Sequence, residues 1–152
     1  MTAYVVRHAK AGDRSDWQGD DRLRPLSKPG LRQAEALVDL LKDAAIQTVL
    51  SSPYLRCMQT VEFLARRFGL QVAQEANLAE GAGGGSLIQL IRRSGSRNVV
   101  LCTHGDVIEE FLGHLIRDGL VLRAHARSDK GSTWVLAEEG GQILSARYIA
   151  AP

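Results

Sequence analysis

The stretch NVVLCTHGDVIEEFLGHLIR (98–117) decides how this chain reads. Its first part, NVVLCTH (98–104), is apolar without alternation, the pattern of a strand covered on both faces. Its second part, DVIEEFLGHLIR (106–117), repeats apolar residues at helical spacing. That spacing predicts a helix with Val107, Ile108, Phe111, Leu112, Leu115 and Ile116 turned inward. A buried strand running straight into a helix is half of a βαβ unit, and it points to an α/β sheet.

The same alternation continues on both sides. AYVV (3–6) reads as a first strand. RPLSKPGLRQAEALVDLLKDA then places Leu31, Ala34, Leu37, Val38 and Leu41 on one helical face, with Ser27 as cap and Pro29 in the first turn. QTVLSS (47–52) is a second buried strand, and Ser52-Pro53 opens a helix with serine as the expected cap. Its stripe is Leu55, Met58, Val61, Leu64, Ala65 and Phe68, and Gly69 ends it. LQVAQE (70–75) is a weaker strand, GAGGGS (81–86) a loop, and LIQLIRRS (87–94) a short helix. STWVLAE (132–138) and ILSARYI (143–149) flank Gly140-Gly141 as a hairpin. The expectation is one α/β domain over 1–152: a three-layer α/β/α sandwich, mostly parallel, closed by an antiparallel hairpin.

Composition narrows the function classes. The 152 residues are 45% apolar and 24% charged, with a net charge of +2. That balance is too weak to argue for a nucleic-acid polymer, but it suits anionic small substrates. Cys57 and Cys102 form no CxxC or Cys/His cluster, so the expectation is two inert buried thiols rather than zinc ligands or a disulfide. There is no signal-peptide pattern and no apolar run of spanning length, and a cytoplasmic location is expected.

In open α/β sheets, ligands bind beyond the carboxyl ends of the strands. Here the first strand ends in Arg7-His8, and the second runs into a helix carrying Arg56. The third leads through ANLAEG to Glu80, and the fourth ends in Thr103-His104-Gly105. Two histidines, two arginines and a carboxylate therefore converge on one edge. Phosphoryl transfer needs such a set. Its transition state spreads negative charge over equatorial oxygens, arginine forks match phosphate, and neutral histidine can accept the phosphoryl group. GAGGGS lacks the GK[ST] ending of a P-loop and reads as a connector. DWQGDDRLRPLSK carries charges of both signs, with Asp21, Arg22 and Arg24 among them; a solvated loop is expected there, a substrate-selecting lid the alternative. Lys130 precedes the fifth strand, where it either reaches a distal part of the substrate or faces solvent. His114 on a helix and His125 in a loop have no evident partner.

Four segments together resemble the histidine phosphatase superfamily. VVRHAKAG looks like its RHG signature, with Ala9 where glycine is usual. PLSKPGLRQAEAL, VLSSPYLRCMQTVE and VVLCTHGDVI resemble its other segments, in the same order. The short length resembles the SixA-type branch of phosphohistidine phosphatases, and there is similarity to the domain fused to MutT-type Nudix proteins of actinobacteria. The resemblance implies a phosphoglycerate mutase-like fold and a metal-independent, cofactor-free phosphatase acting on phosphohistidine or small phosphomonoesters. It implies His8 as nucleophile, with Arg7, Arg56, His104 and Gly105 around the phosphoryl oxygens. Glu80 falls where many members keep a general acid, with Glu75 close to it in sequence and Asp13 close to His8. Arg14 stands where asparagine is common, and it either adds a phosphate clamp or points to water. The implied partners are a phosphorylated small molecule or phosphohistidine protein, with a functional link to a Nudix hydrolase and no membrane. The alternatives are a mutase-like phosphotransferase and a phospholigand-binding module without turnover.

Overall fold

The computed structural model describes residues 1–122 and 126–152; His125 and the middle of the loop 118–131 lie outside the described residues. Six strands form one mixed sheet: β1 (Thr2–Arg7), β2 (Thr48–Ser51), β3 (Val72–Gln74), β4 (Val99–Thr103), β5 (Thr133–Glu139) and β6 (Gln142–Ile149). Their order across the sheet is β3-β2-β4-β1-β5-β6. The first four are parallel, and the closing β5–β6 hairpin runs antiparallel, with β5 against β1. Four helices cover the sheet: α1 (Lys28–Leu41), α2 (Leu55–Arg67), α3 (Gly84–Arg93) and α4 (Gly105–Arg117). Among the described residues no helix is long and apolar enough to cross a membrane.

The strand side chains sort the helices into two layers. Ala3 and Val5 of β1 and Val99 and Leu101 of β4 pack with Leu87, Ile91, Phe111 and Leu112 of α3 and α4. Val6, Val100 and Cys102, pointing the other way, pack with Leu37, Leu41, Val61 and Leu64 of α1 and α2. Every side chain of β4 is buried, because this central strand is covered on both faces. The unalternating run that opened the sequence analysis has this physical origin.

Local departures from the expected elements have local causes. Ser52 does not cap α2; Tyr54 holds that position without a side-chain cap bond, and the Ser52 hydroxyl is committed elsewhere. The glycine-rich segment is not all loop, since α3 begins at Gly84, where a Cβ would lie 2.3 Å from the Phe111 nitrogen. Only glycine lets α3 and α4 approach so closely at that point. Ile116 is 49% exposed and belongs to the solvent face of α4, one position past the Leu115 that closes the buried stripe. Ser27 does cap α1, its oxygen accepting from the Gly30 amide at 3.2 Å.

Candidate active site

The sheet register places the two histidines next to each other. Arg7 is paired with Thr103, so the residues that follow them, His8 and His104, leave neighbouring strands at the same level. The His8 amide extends the ladder by donating to the Thr103 carbonyl at 3.1 Å. The rings then meet edge to face with centroids 5.5 Å apart. His104 is the N-cap of α4 and makes no side-chain cap bond. The first turn of that helix therefore faces the cleft with its own amides, a favourable setting for an anion. Gly105 lets Arg7 cross this turn: a Cβ there would sit 2.8 Å from the Arg7 Cζ.

His8 is buried, and its Nδ1 lies 2.8 Å from the Ala9 carbonyl. A carbonyl only accepts, so Nδ1 carries the hydrogen and Nε2 keeps the lone pair. Burial lowers the His8 pKa to about 3, helped by the charges of Arg56 and Arg7 and opposed by the Ala9 bond. The ring is thus neutral at ordinary pH. His104 is held by Ser52, whose hydroxyl lies 2.8 Å from its Nε2, while its Nδ1 is buried with no partner. Cys57 Sγ stands 3.5 Å from the same Nε2; Cys57 and Cys102 are both buried free thiols.

Arg56 enters from the first turn of α2, only 1% exposed. One terminal nitrogen donates to the Asp21 carbonyl at 2.9 Å, and the other meets the Asp21 carboxylate at 3.2 Å and Glu80 at 3.7 Å. The guanidinium also lies over the Tyr54 ring, 4.9 Å from its centroid. Arg7 donates to the Ser128 carbonyl. The Nε atoms of Arg7 and Arg56 are buried without partners. Buried donors in that state are costly unless something accepts from them.

Arg7, His8, Arg56 and His104 line a cleft of about 630 Å³ together with Arg14, Arg24, Glu80, Gly105, Asp106, Glu109 and Lys130. The expected site residues Arg7, His8, Arg14, Arg56, Glu80, His104, Gly105 and Lys130 therefore reach one cavity. Arg14 lies between its two expected settings: its side chain is 65% exposed, yet it lines the cleft and pairs with Glu80 at 3.1 Å. Most of the mixed-charge loop is exposed, in keeping with the solvated reading, but two of its charges are held in place. Arg24 is 6% exposed, and Asp21 pairs with Arg24, Arg56 and Arg14. The Arg24 hydrogen bond, with the charges of Arg56 and Arg14, holds the Asp21 carboxyl below its usual range. Of the other two carboxylates weighed beside Glu80, Asp13 lines the cleft, whereas Glu75 does not. Sequence reasoning missed Arg24 as part of the cleft and Asp21 as the carboxylate that pairs with the cleft arginines, and took Ser52 for a helix cap. A serine one step past a strand fits both uses, and the local pattern alone cannot separate them.

The chain is similar to known proteins along its whole length. A family model, Histidine phosphatase superfamily (branch 1), matches residues 3–87. A Mycolicibacterium smegmatis protein named 8-oxo-(d)GTP phosphatase is 37% identical over 99% of this chain, which spans 48% of that protein. A Proteus mirabilis protein named probable phosphoglycerate mutase GpmB is 29% identical over 53% of the chain, matching 38% of its own length. The chain thus spans about half the length, or less, of these curated relatives. Among solved structures, a phosphohistidine phosphatase SixA from Agrobacterium tumefaciens superposes with a TM-score of 0.79 at 25% identity, covering 98% of this chain and 97% of that one. The protein histidine phosphatase SixA complexed with tungstate superposes with a TM-score of 0.76 at 20% identity, covering 99% and 95%. The second likeness bears on the fold, which is phosphoglycerate mutase-like.

Proposed function

The chain belongs to the histidine phosphatase superfamily, and from that premise we propose that it hydrolyses phosphohistidine or small phosphomonoesters through a phosphorylated His8. The observation that carries this reading is the buried His8 ring, neutral and fixed by the Ala9 carbonyl, among Arg7, Arg56 and His104. The Nε2 lone pair attacks phosphorus and forms an N–P bond as the bond to the leaving group breaks. Arg7, Arg56 and His104 Nδ1 donate to the phosphoryl oxygens, satisfying donors that are otherwise buried and unpartnered. The α4 N-terminus at Gly105 adds backbone amides. The leaving group departs and takes a proton where its basicity requires one, a role assigned in this reading to Glu80, which lines the cleft. Water then cleaves the N–P bond, releasing orthophosphate and neutral His8. No step in this sequence draws on a metal ion.

A second reading takes a nucleotide as the substrate. It is favoured by the relative named 8-oxo-(d)GTP phosphatase, which aligns with 99% of this chain. Both readings use the same centre, so one experiment tests them together. Rapid acid-free quenching of the enzyme with a radiolabelled phosphate donor traps label that is stable to alkali and labile to acid, and His8→Ala traps none. Turnover of 4-nitrophenyl phosphate persists in EDTA and is lost in His8→Ala. Full activity in that variant overturns the mechanism.

A further inference from the structure

The cleft holds more positive charge than one phosphoryl group needs, and its distribution is uneven. Arg14 is tied to Glu80 and Asp21, Arg24 to Asp21, and Arg56 to Asp21 and Glu80. Arg7 and Lys130 are the two cleft cations that, among the described residues, have no carboxylate within 4.0 Å. Arg7 faces the nucleophile. Lys130 remains, and its placement is built rather than casual. The Gly131 amide donates to the carbonyls of Arg7 and His8 at 3.2 and 3.1 Å, and Gln33 Nε2 donates to the Lys130 carbonyl at 3.3 Å. The peptide unit that joins Lys130 to Gly131 is thus bolted to the end of β1 and to α1.

Glu80 supplies a second, independent observation. Its two oxygens are engaged by Arg14 at 3.1 Å and Arg56 at 3.7 Å. A carboxylate held between two guanidinium groups is poorly offered to a leaving group that must be protonated. It suits a leaving group that departs as a stable anion.

We propose that Lys130 is a specificity residue that binds a second phosphate, and that the preferred substrate carries a terminal phosphoryl group on a diphosphate. This rests on the phospho-His8 reading and narrows its substrate class. The His8 Nε2 attacks the terminal phosphorus, and the bond from that phosphorus to the bridging oxygen breaks. The bridging oxygen leaves with the electron pair as part of a phosphate monoester, with Lys130 donating to that phosphate. Water then hydrolyses the phosphohistidine to orthophosphate and a proton. The leaving phosphate needs no acid, in keeping with the engaged Glu80. Burial and the four surrounding arginines lower the Lys130 pKa, a strain that a second anion relieves.

Calorimetric titration with inorganic pyrophosphate and with orthophosphate tests this directly. The wild-type protein binds pyrophosphate about tenfold more tightly than orthophosphate. Lys130→Ala reduces that ratio by about fivefold or more, and Lys130→Arg retains most of it. The same shift appears in the kcat/KM ratio for a nucleoside diphosphate against 4-nitrophenyl phosphate. An unchanged ratio in Lys130→Ala, or no pyrophosphate preference in the wild type, overturns the proposal. The two readings fail separately: a trapped phosphoenzyme with equal binding of both anions sinks only the diphosphate inference. A Lys130-dependent pyrophosphate preference without any phosphoenzyme sinks only the nucleophile assignment.

Discussion

His8 couples the chemistry of the site to the stability of the chain. Its pKa lies near 3 when folded, against the ordinary 6.5. Above pH 6.5 both folded and unfolded forms are neutral, and the full stability is present. Below 6.5 the unfolded chain takes up a proton that the folded chain refuses until about pH 3. Stability therefore falls across that window, by at most about 1.4 kcal/mol per pH unit. Between pH 7 and pH 5 the wild type loses about 1–2 kcal/mol more than His8→Gln in urea unfolding. Parallel pH profiles for the two proteins overturn this. At the same scale, the sequence made His8, Arg7, Arg56 and His104 legible because each closes a strand or opens a helix at a known sheet edge. Asp21 and Arg24 were not legible. Their roles come from ion pairs across the loop, and no short-range pattern encodes which charge meets which.

At the scale of elements, α1 is aimed by a single close approach. The Lys10 carbonyl accepts from the Ser27 amide at 3.0 Å and from its hydroxyl at 3.1 Å, just where the helix begins. A Cβ on Gly30 would lie 1.8 Å from that oxygen. Gly30→Ala must push α1 away from the segment that follows His8, at a cost of about 2–3 kcal/mol in urea unfolding. Gly85→Ala, in α3 with nothing within 4 Å, is the control and stabilises by about 0.5–1 kcal/mol. Equal effects of the two substitutions would sink the argument. Helix faces and caps were largely readable, since apolar spacing and Ser27 are local signals. The start of α3 was not. Its glycines look like a flexible connector until the packing partner, the backbone of α4, is known.

At the scale of the whole molecule, the candidate site is spread over segments distant in sequence, and the sheet makes them one object. The alternation of buried strands and amphipathic helices was enough to foresee this architecture and the sheet edge where the cleft lies. The order of the strands was not written in that alternation. It arises because β4 returns to lie between β1 and β2, burying both of its faces. That order has a consequence for exchange with solvent deuterium. The His8 amide is bonded to Thr103 and the Ser52 amide to Cys102, each extending the most enclosed part of the ladder. Those amides lie in the last region to open, so they exchange only when the entire chain unfolds. Their protection matches the global unfolding free energy, whereas the amides around Ser15 and Arg22 exchange early. Rapid exchange at His8 would contradict this. The nucleophile proposed here, His8, is thus carried by the slowest-opening unit, and its position is kept for as long as the fold itself lasts.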